Sequence, residues 1–316
     1  GEPFLLVASY DEPHGPCTCP PEYAEQFVDF DYDLGAGALD DLDSKPAFHR
    51  LWAGGANTNE TRSTRSPLYF GCNSYVDSEI GRLLDAVAET CAENTIVIFT
   101  SDHGDMLGAH GIHGKGPVMY DQITRIPFII RSPFQQTSNA VNRTPVSHID
   151  LLPTMLDLAG IPIPDLMDGH SLKGLIGGTD QAPSRQVMLE FHRHSLCHDS
   201  WGGFVPIRCL VKDRWKLVIN LLDTDELYNL HADPGETENR IDDHDAEAVR
   251  GQLMDDLLDR MDTVRDPFRG MYWEQRPWRS KSTRHWQGSY RMKPDDGHSP
   301  VPLVYKTGKP EPRYQQ

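Results

Sequence analysis

An acidic residue beside a histidine, Asp102-His103, follows a predicted strand and could hold a metal ion. A carboxylate oxygen and an imidazole nitrogen form a mixed donor pair that suits calcium, manganese or zinc. Open α/β sheets bind ligands beyond the carboxyl ends of their strands, so this pair lies where ligand chemistry is expected. The structural alternative is that Asp102 caps the next helix and that His103 is incidental.

Two further motifs contain groups that could act on an anion. The run HGIHGKG at 110–116 holds His113 and Lys115 between glycines, which leave room for an oxyanion to approach the lysine. His14 lies in the proline-flanked loop PHGP, although an isolated loop histidine is most often exposed and idle. Together, a metal pair, a lysine and a histidine at strand ends indicate the hydrolysis of an oxyanion ester.

Strands and helices alternate around these motifs. Apolar runs at 4–8 and 95–100 are typical of strands buried on both faces of a parallel sheet, and residues 69–88 between them have the apolar spacing of an amphipathic helix. A third strand is predicted at 127–131 and a helix at 148–160, in which Asp150 is expected to position the fold. This order indicates an α/β layered fold.

The remainder of the chain divides into smaller regions. Shorter strands are predicted at 187–191, 207–211 and 215–219, and a closing helix at 246–264. The predicted domains are an α/β core at 1–184, a small α+β subdomain at 185–265 and an extended tail at 266–316. The tail packs either on its own domain or on a second subunit, as in a homo-oligomer. The polar stretch 17–66, with the acidic run at 40–43, is predicted to be a solvated surface loop.

Composition and charge exclude several kinds of partner and protein class. The chain has 316 residues and a formal net charge of −17, so nucleic acid is excluded as a partner. The longest apolar runs are far shorter than the ~20 residues that cross a bilayer, so no membrane span is predicted. Six scattered cysteines form no disulfide framework, and the compartment is left open. Because the chain begins at a strand-like run with Gly, its natural start is expected to be missing.

Five sequence blocks resemble the sulfatase family, within the alkaline phosphatase-like superfamily. They are PHGP at 13–16, YVDSEIGRLLDAV at 75–87, the run from Thr95 to Ser132, HIDLLPTMLDLAGIPIP at 148–164 and ELYNLHADPGETEN at 226–239. The resemblance implies an alkaline phosphatase-like sandwich, in which a mainly parallel sheet lies between helices and a small α+β subdomain follows.

The resemblance also implies roles for individual residues. Asp102 and His103 would be metal ligands, Lys115 would contact the sulfate, and His14 would contact the sulfate or the leaving-group oxygen. His113 would join that pocket. Many family members carry Asn at the position of His103, and His keeps a metal ligand there. The resemblance implies calcium, which is usual for sulfatases, and the His leaves manganese or a similar ion as the alternative.

A second histidine-rich cluster runs from Glu190 to His198. It lacks the partner cluster that a structural zinc site requires. His192 is therefore predicted to line the substrate pocket, and a surface loop is the alternative.

Two elements of the family pattern are absent from this chain. Sulfatases take further metal ligands from an Asp-Asp pair and form a formylglycine nucleophile in a C/S-x-P-x-R motif. The nearest match, Cys19 to Tyr23, has Tyr in place of Arg. The chain is therefore expected to be the C-terminal portion of a sulfatase whose nucleophile lies upstream, and to be inactive alone.

The expected substrate is a sulfate ester of a small molecule or a carbohydrate. Two other functions remain open. One is a phosphonate monoester or phosphodiester hydrolase of the same superfamily, because tetrahedral sulfate and phosphonate esters need nearly the same contacts. The other is a non-catalytic assembly module.

Overall fold

The computed structural model of the chain describes residues 4–54, 62–133, 140–176, 185–193 and 204–279. It divides into two compact units, Gly1–Arg250 and Gly251–Gln316. Within the described residues, no helix is both long enough and apolar enough to cross a membrane. The predicted boundaries at residues 184 and 265 stay predictions.

The first unit contains most of the helices and strands. Its helices are α1 (Pro21–Glu25), α2 (Ala47–Trp52), α3 (Pro67–Thr90), α4 (Asp121–Thr124), α5 (Leu151–Leu158) and α6 (Lys173–Ile176). Its strands are β1 (Tyr32–Asp33), β2 (Ser63–Thr64), β3 (Val97–Thr100), β4 (Phe128–Arg131), β5 (Gln186–Arg193), β6 (Phe204–Lys212), β7 (Trp215–Asn220) and β8 (Glu226–Asn229). Helix α7 (Glu247–Thr263) contains the division between the units, and α8 (Met271–Glu274) belongs to the second. The mixture of helices and strands confirms the predicted α/β class.

All strand pairs among the described residues are antiparallel. Strands β3 and β4 pair with each other, and β5, β6, β7 and β8 form a four-stranded sheet in that order. The apolar run at 4–8 is not in a strand, and Phe4 to Val7 are 71–78% exposed. The prediction of a buried strand there is wrong for the described structure, because no described strand pairs with this run.

The described part of the stretch 17–66 is also not the solvated loop that its composition predicts. Ala38, Leu42 and Phe48 are buried, and so are the polar side chains Lys45 and His49. Asp40, in the acidic run, lies 2.7 Å from His110 Nδ1 and 3.5 Å from Lys45 Nζ. The acidic residue is buried because cationic and hydrogen-bonding partners from elsewhere in the chain compensate its desolvation.

The segment that follows β3 and ends with α4 packs against one face of the four-stranded sheet. We call residues 104–124 the site loop. Its apolar side chains share one core cluster with the sheet; the buried members are Phe48, Met106, Ala109, Ile112, Val118, Met119, Tyr120, Ile123, Ile207, Cys209, Val218 and Tyr228. This packing fixes the loop that contains His113 and Lys115.

Asp150 positions the fold, as its sequence context predicts. Its buried carboxylate accepts hydrogen bonds from the backbone N–H groups of Ser147, at 3.0 Å, and His170, at 2.8 Å. Arg185 Nη2 donates to the same carboxylate at 3.0 Å. Three separate segments are thus joined at one side chain.

Replacing Asp150 with alanine is expected to lower the free energy of unfolding by about 3 kcal/mol, because three donors lose their shared acceptor. Urea unfolding of the purified chain measures this change. The control is Asp157→Ala on α5, which removes a partly exposed pair with Lys173 and a hydrogen bond from Ser171; the expected change is smaller, because solvent screens the pair. Equal losses in the two variants would contradict the role of Asp150.

Candidate functional site

Asp102 and His103 lie immediately beyond the carboxyl end of β3. Asp102 Oδ2 is 3.3 Å from His103 Nε2, and the backbone N–H of His103 donates to Asp102 Oδ1 at 2.8 Å. The Asp102 side chain is 82% exposed. The two predicted metal ligands therefore face each other at the surface, open to an ion.

The charge state of the pair suits a cation ligand. Burial raises the pKa of Asp102, but the hydrogen bond from the His103 backbone and the nearby imidazole lower it by more. The net shift is downward, so Asp102 is ionised at neutral pH. His103 Nδ1 lies 2.9 Å from the Gly104 carbonyl oxygen, which can only accept a hydrogen bond. Nδ1 is therefore the nitrogen that donates to Gly104, and Nε2 is the nitrogen that faces the carboxylate.

This orientation fits a metal ligand, because a metal-binding histidine usually donates its other ring N–H to a carbonyl or carboxylate. A protonated imidazole that forms an ion pair with Asp102 also fits the 3.3 Å contact. Among the described residues, however, no group of three or more His, Cys, Asp or Glu side chains is placed to hold a metal ion. Asp102 and His103 thus supply two donors of a site that the described residues do not complete.

Close backbone packing holds the turn that follows. The N–H of Gly104 donates to the Ile123 carbonyl at 2.9 Å, which joins the two ends of the site loop. A Cβ atom built on Gly104 would lie 1.9 Å from the Gln122 carbonyl oxygen. Only glycine fits there, which explains its place after the Asp-His pair.

His113 and Lys115 both lie at the exposed tip of the site loop. Backbone hydrogen bonds close the loop beneath them, from Met106 N to Gly114 O and from Gly108 N to Ile112 O, each at 2.9 Å. A Cβ atom on Gly116 would lie 2.0 Å from the Trp52 ring. The glycines of the HGKG motif therefore allow close packing as well as access to the lysine.

His14 is exposed, and its Nδ1 lies 2.8 Å from the Gly15 carbonyl oxygen. The next thiol along the chain, Cys17, has a pKa raised first by burial and then by the carboxylate of Asp105. That interaction indicates that the His14 loop and the start of the site loop lie near each other. Among the described residues, no hydrogen bond or ion pair joins His14 to Lys115 or to Asp102, so its role stays a prediction.

His192 lies in β5 of the four-stranded sheet. His192 Nε2 lies 3.6 Å from Glu190 Oε1, and Glu190 is paired across the strands with Arg208. Their neighbours Phe191 and Ile207 lie on the other face of the sheet, within the core cluster that includes the site loop. His192 as a pocket residue stays a prediction, and His194 to His198 lie outside the described residues.

Buried charged groups beneath the site loop were not identified from the sequence. One group contains Asp40, Lys45 and His110, and another contains Lys216, Asp121 and Glu236. Charged residues in a sequence are most simply interpreted as exposed, and these come from five distant segments. The partial signals were His110 inside the HGIHGKG run and Glu236 inside the DPGETEN run.

Two buried histidines in this region make the free energy of unfolding depend on pH. His49 Nδ1 lies 3.1 Å from the Tyr120 hydroxyl, and the His110 ring stacks on Tyr120 at 3.8 Å. Burial lowers the pKa of both histidines, and that of His49 is lowered furthest, with the charges of His110 and Lys45 adding to the shift. Both rings are therefore neutral in the folded state at neutral pH.

We expect the free energy of unfolding to fall as the pH falls below 6.5. The unfolded chain takes up protons on these histidines first, so their contribution is complete above about pH 6.5 and is lost toward the folded pKa. Each histidine contributes up to about 1.4 kcal/mol per pH unit. Urea unfolding at pH 7.5 and 5.5 should show a smaller difference for His49→Gln than for the unchanged chain. Exposed His231→Gln is the control, and equal differences in all three would contradict the prediction.

Comparisons with known proteins identify the family of the chain. A family model described as Sulfatase matches residues 1–161, and one described as N-sulphoglucosamine sulphohydrolase, C-terminal, matches residues 108–263. The chain is 50% identical over 311 residues to an uncharacterized sulfatase, YidJ, of Escherichia coli (strain K12), which covers 98% of this chain and 61% of that relative.

Solved structures share the fold. A phosphonate monoester hydrolase from Silicibacter pomeroyi superposes with a TM-score of 0.66 at 26% identity, covering 79% of this chain and 54% of that one. A protein in complex with its substrate D-glucosamine-2-N,6-O-disulfate superposes with a TM-score of 0.70 at 20% identity, covering 81% and 65%. The chain thus spans less than two thirds of the length of each of these proteins. It belongs to the sulfatase family and has the alkaline phosphatase-like α/β fold.

Proposed function

We propose that the chain is part of a sulfuric ester hydrolase that cleaves a sulfate monoester, and that it contributes metal ligands and sulfate contacts. The observation that carries the proposal is the Asp102–His103 pair, in which an ionised and exposed carboxylate lies 3.3 Å from Nε2 of an imidazole whose Nδ1 is held by the Gly104 carbonyl. Family membership supports hydrolase activity in general.

Each residue of the chain has a proposed task. Asp102 and His103 would hold a divalent metal ion, calcium first and manganese second, which neutralises charge on the sulfate when it is bound. The Lys115 ammonium would bind a sulfate oxygen, since it is exposed at the tip of the site loop. His14 would donate a proton to the leaving-group oxygen, and His113 and His192 would contact the substrate.

The remaining parts of the site would come from polypeptide upstream of residue 1. These are the formylglycine nucleophile and the further metal ligands that the family pattern requires. Two features support this arrangement: the described residues do not complete a metal-ligand set, and the apolar side chains Phe4 to Val7 are exposed. The 316-residue chain alone is therefore expected to have negligible turnover.

Peptide mapping by mass spectrometry of the full-length gene product tests the proposal. We expect an upstream peptide with a Cys-derived or Ser-derived aldehyde in a C/S-x-P-x-R context, together with hydrolysis of an aryl sulfate. The matched control is the 316-residue chain, which should show neither. A full-length product with no aldehyde, or strong turnover by the chain alone, would contradict the proposal.

A phosphonate monoester or phosphodiester hydrolase is the second candidate, supported by the phosphonate monoester hydrolase among the structural relatives. The ratio of kcat/KM for an aryl sulfate and a phenyl phosphonate, measured on the full-length enzyme, separates the two. Sulfated small molecules and sulfated carbohydrates are the substrate classes to screen. A non-catalytic assembly module would hydrolyse none of these esters, and deleting residues 266–316 would then change its oligomer mass.

A further inference from the structure

The exposed tip of the site loop needs support from below. His113 and Lys115 project into solvent, and the loop around them has only short helical turns. An ammonium that contacts a substrate must be held within a fraction of an ångström of its place, and a misplacement of about 1 Å can cost 100-fold in rate. The groups that fix the ends of the loop therefore matter for Lys115.

Lys216 of β7 fixes the end of the site loop that contains α4. Its ammonium donates to the Met119 carbonyl at 2.8 Å, to Asp121 Oδ1 at 2.6 Å and to Glu236 Oε1 at 2.6 Å. Glu236 Oε2 accepts from the backbone N–H of Asp121 at 2.6 Å. All three donors of the lysine are used, and two of the three acceptors belong to the site loop.

This cluster is buried, so its charges depend on one another. Lys216 and Glu236 are both almost fully inaccessible to solvent. Burial lowers the pKa of Lys216, but the carboxylates of Glu236 and Asp121 raise it by more, so it is charged. Burial raises the pKa of Glu236 to about 7 even though Lys216 opposes the shift. Without the lysine, the buried carboxylate of Glu236 and the partly exposed carboxylate of Asp121 would lie close together with no cation between them.

The first half of the site loop is fixed by His110. Its ring stacks on Tyr120 within the same loop, and its Nδ1 is 2.7 Å from Asp40 Oδ2. Lys45, beside Asp40, donates to the Glu236 carbonyl at 2.6 Å. Both halves of the loop are thus bound to groups that contact Glu236, and the exposed tip lies between them.

We propose that Lys216, through Met119, Asp121 and Glu236, is a positioning residue that sets the place of Lys115 at the tip of the site loop. The four-stranded sheet would then contribute to the reaction without touching the substrate. This inference rests on the proposed function only in the role given to Lys115.

A double-mutant cycle in the full-length protein tests the proposal. Lys216→Met is expected to lower kcat/KM for an aryl sulfate by about 10- to 100-fold in the unchanged background. In a Lys115→Ala background the same substitution should change kcat/KM by less than about 2-fold, because the group that it positions is already gone. If the loss of kcat/KM in the double variant equals the product of the two single losses, the proposal is overturned.

The control is Lys212→Met, the same substitution on β6, at a position that faces away from the core cluster. It should leave kcat/KM within about 2-fold of the unchanged protein. If Lys216→Met fails to fold, the charge-balanced pair Lys216→Met with Glu236→Gln takes its place. A role in charge balance alone predicts recovered activity in that pair, whereas a positioning role predicts that the loss persists.

Hydrogen exchange separates this proposal from the proposed function. The amides of Met106 and Gly108 close the site loop, and in Lys216→Met they should exchange at least about 10-fold faster relative to the amides that pair β6 with β7. Unchanged relative rates would overturn the positioning role, whether or not the protein hydrolyses sulfate. Faster exchange in a protein without sulfatase activity would contradict the proposed function alone.

Discussion

Replacing Lys115 with alanine in the full-length protein is expected to lower kcat/KM for an aryl sulfate by about 100- to 1000-fold. Lys115 is exposed at the tip of the site loop, and within the described part of the chain it forms no ion pair. Its charge is therefore available to an anion. Because the side chain packs against little, the melting temperature should change by no more than about 2 °C.

Lys173→Ala is the matched control, because Lys173 is another exposed lysine and pairs with Asp157. Its kcat/KM should stay within about 2-fold of the unchanged enzyme. Lys115→Arg should recover only part of the loss, since a planar guanidinium does not replace a compact ammonium. A Lys115→Ala enzyme as active as the Lys173→Ala enzyme would exclude the sulfate contact.

The helices and central strands could be predicted because their signals are local. Apolar positions at helical spacing predict a helix at 69–88, and α3 runs from Pro67 to Thr90. Runs of apolar and β-branched residues predict strands at 207–211 and 215–219, and β6 and β7 contain both. Such patterns state which face is buried without reference to a partner.

The errors arise where a structure depends on partners that are distant in the sequence. The run at 4–8 has a strand-like composition, but a strand forms only beside another strand. Strand β8 was missed because it begins with a polar residue, Glu226. This side chain is nevertheless buried, and Asn220 and Tyr228 donate hydrogen bonds to its carboxylate. In both cases the polarity of the local sequence predicted the wrong secondary structure.

The same distinction applies to the candidate site. Asp102 and His103 are adjacent in the sequence and lie at a strand end, so their contact could be predicted. The cluster of Lys216, Asp121 and Glu236 joins residues 95 and 20 positions apart. Nothing in their local sequence shows that they meet, and its charged members are most simply interpreted as solvated.

Asp102→Ala is expected to lower the calcium affinity of the full-length protein by at least about 100-fold, because changes even to outer partners of a metal site cost 10- to 100-fold. The carboxylate is ionised, exposed and faces His103 Nε2. Isothermal titration of metal-free protein with calcium, repeated with manganese, measures this affinity. His103→Ala should weaken the same binding.

Asp105→Asn is the matched control, because it removes a carboxylate charge from the same turn while keeping the acceptor for the Leu107 backbone N–H. If Asp105 is not a ligand, Asp105→Asn removes only a nearby negative charge, and the calcium affinity should change by less than about 3-fold. Calcium binding unchanged in Asp102→Ala but weakened in Asp105→Asn would move the ligand from the first to the second aspartate of the Asp-His-Gly-Asp run. His103 would then act only as the partner of Asp102, and Asp105 would be the residue that binds the metal ion.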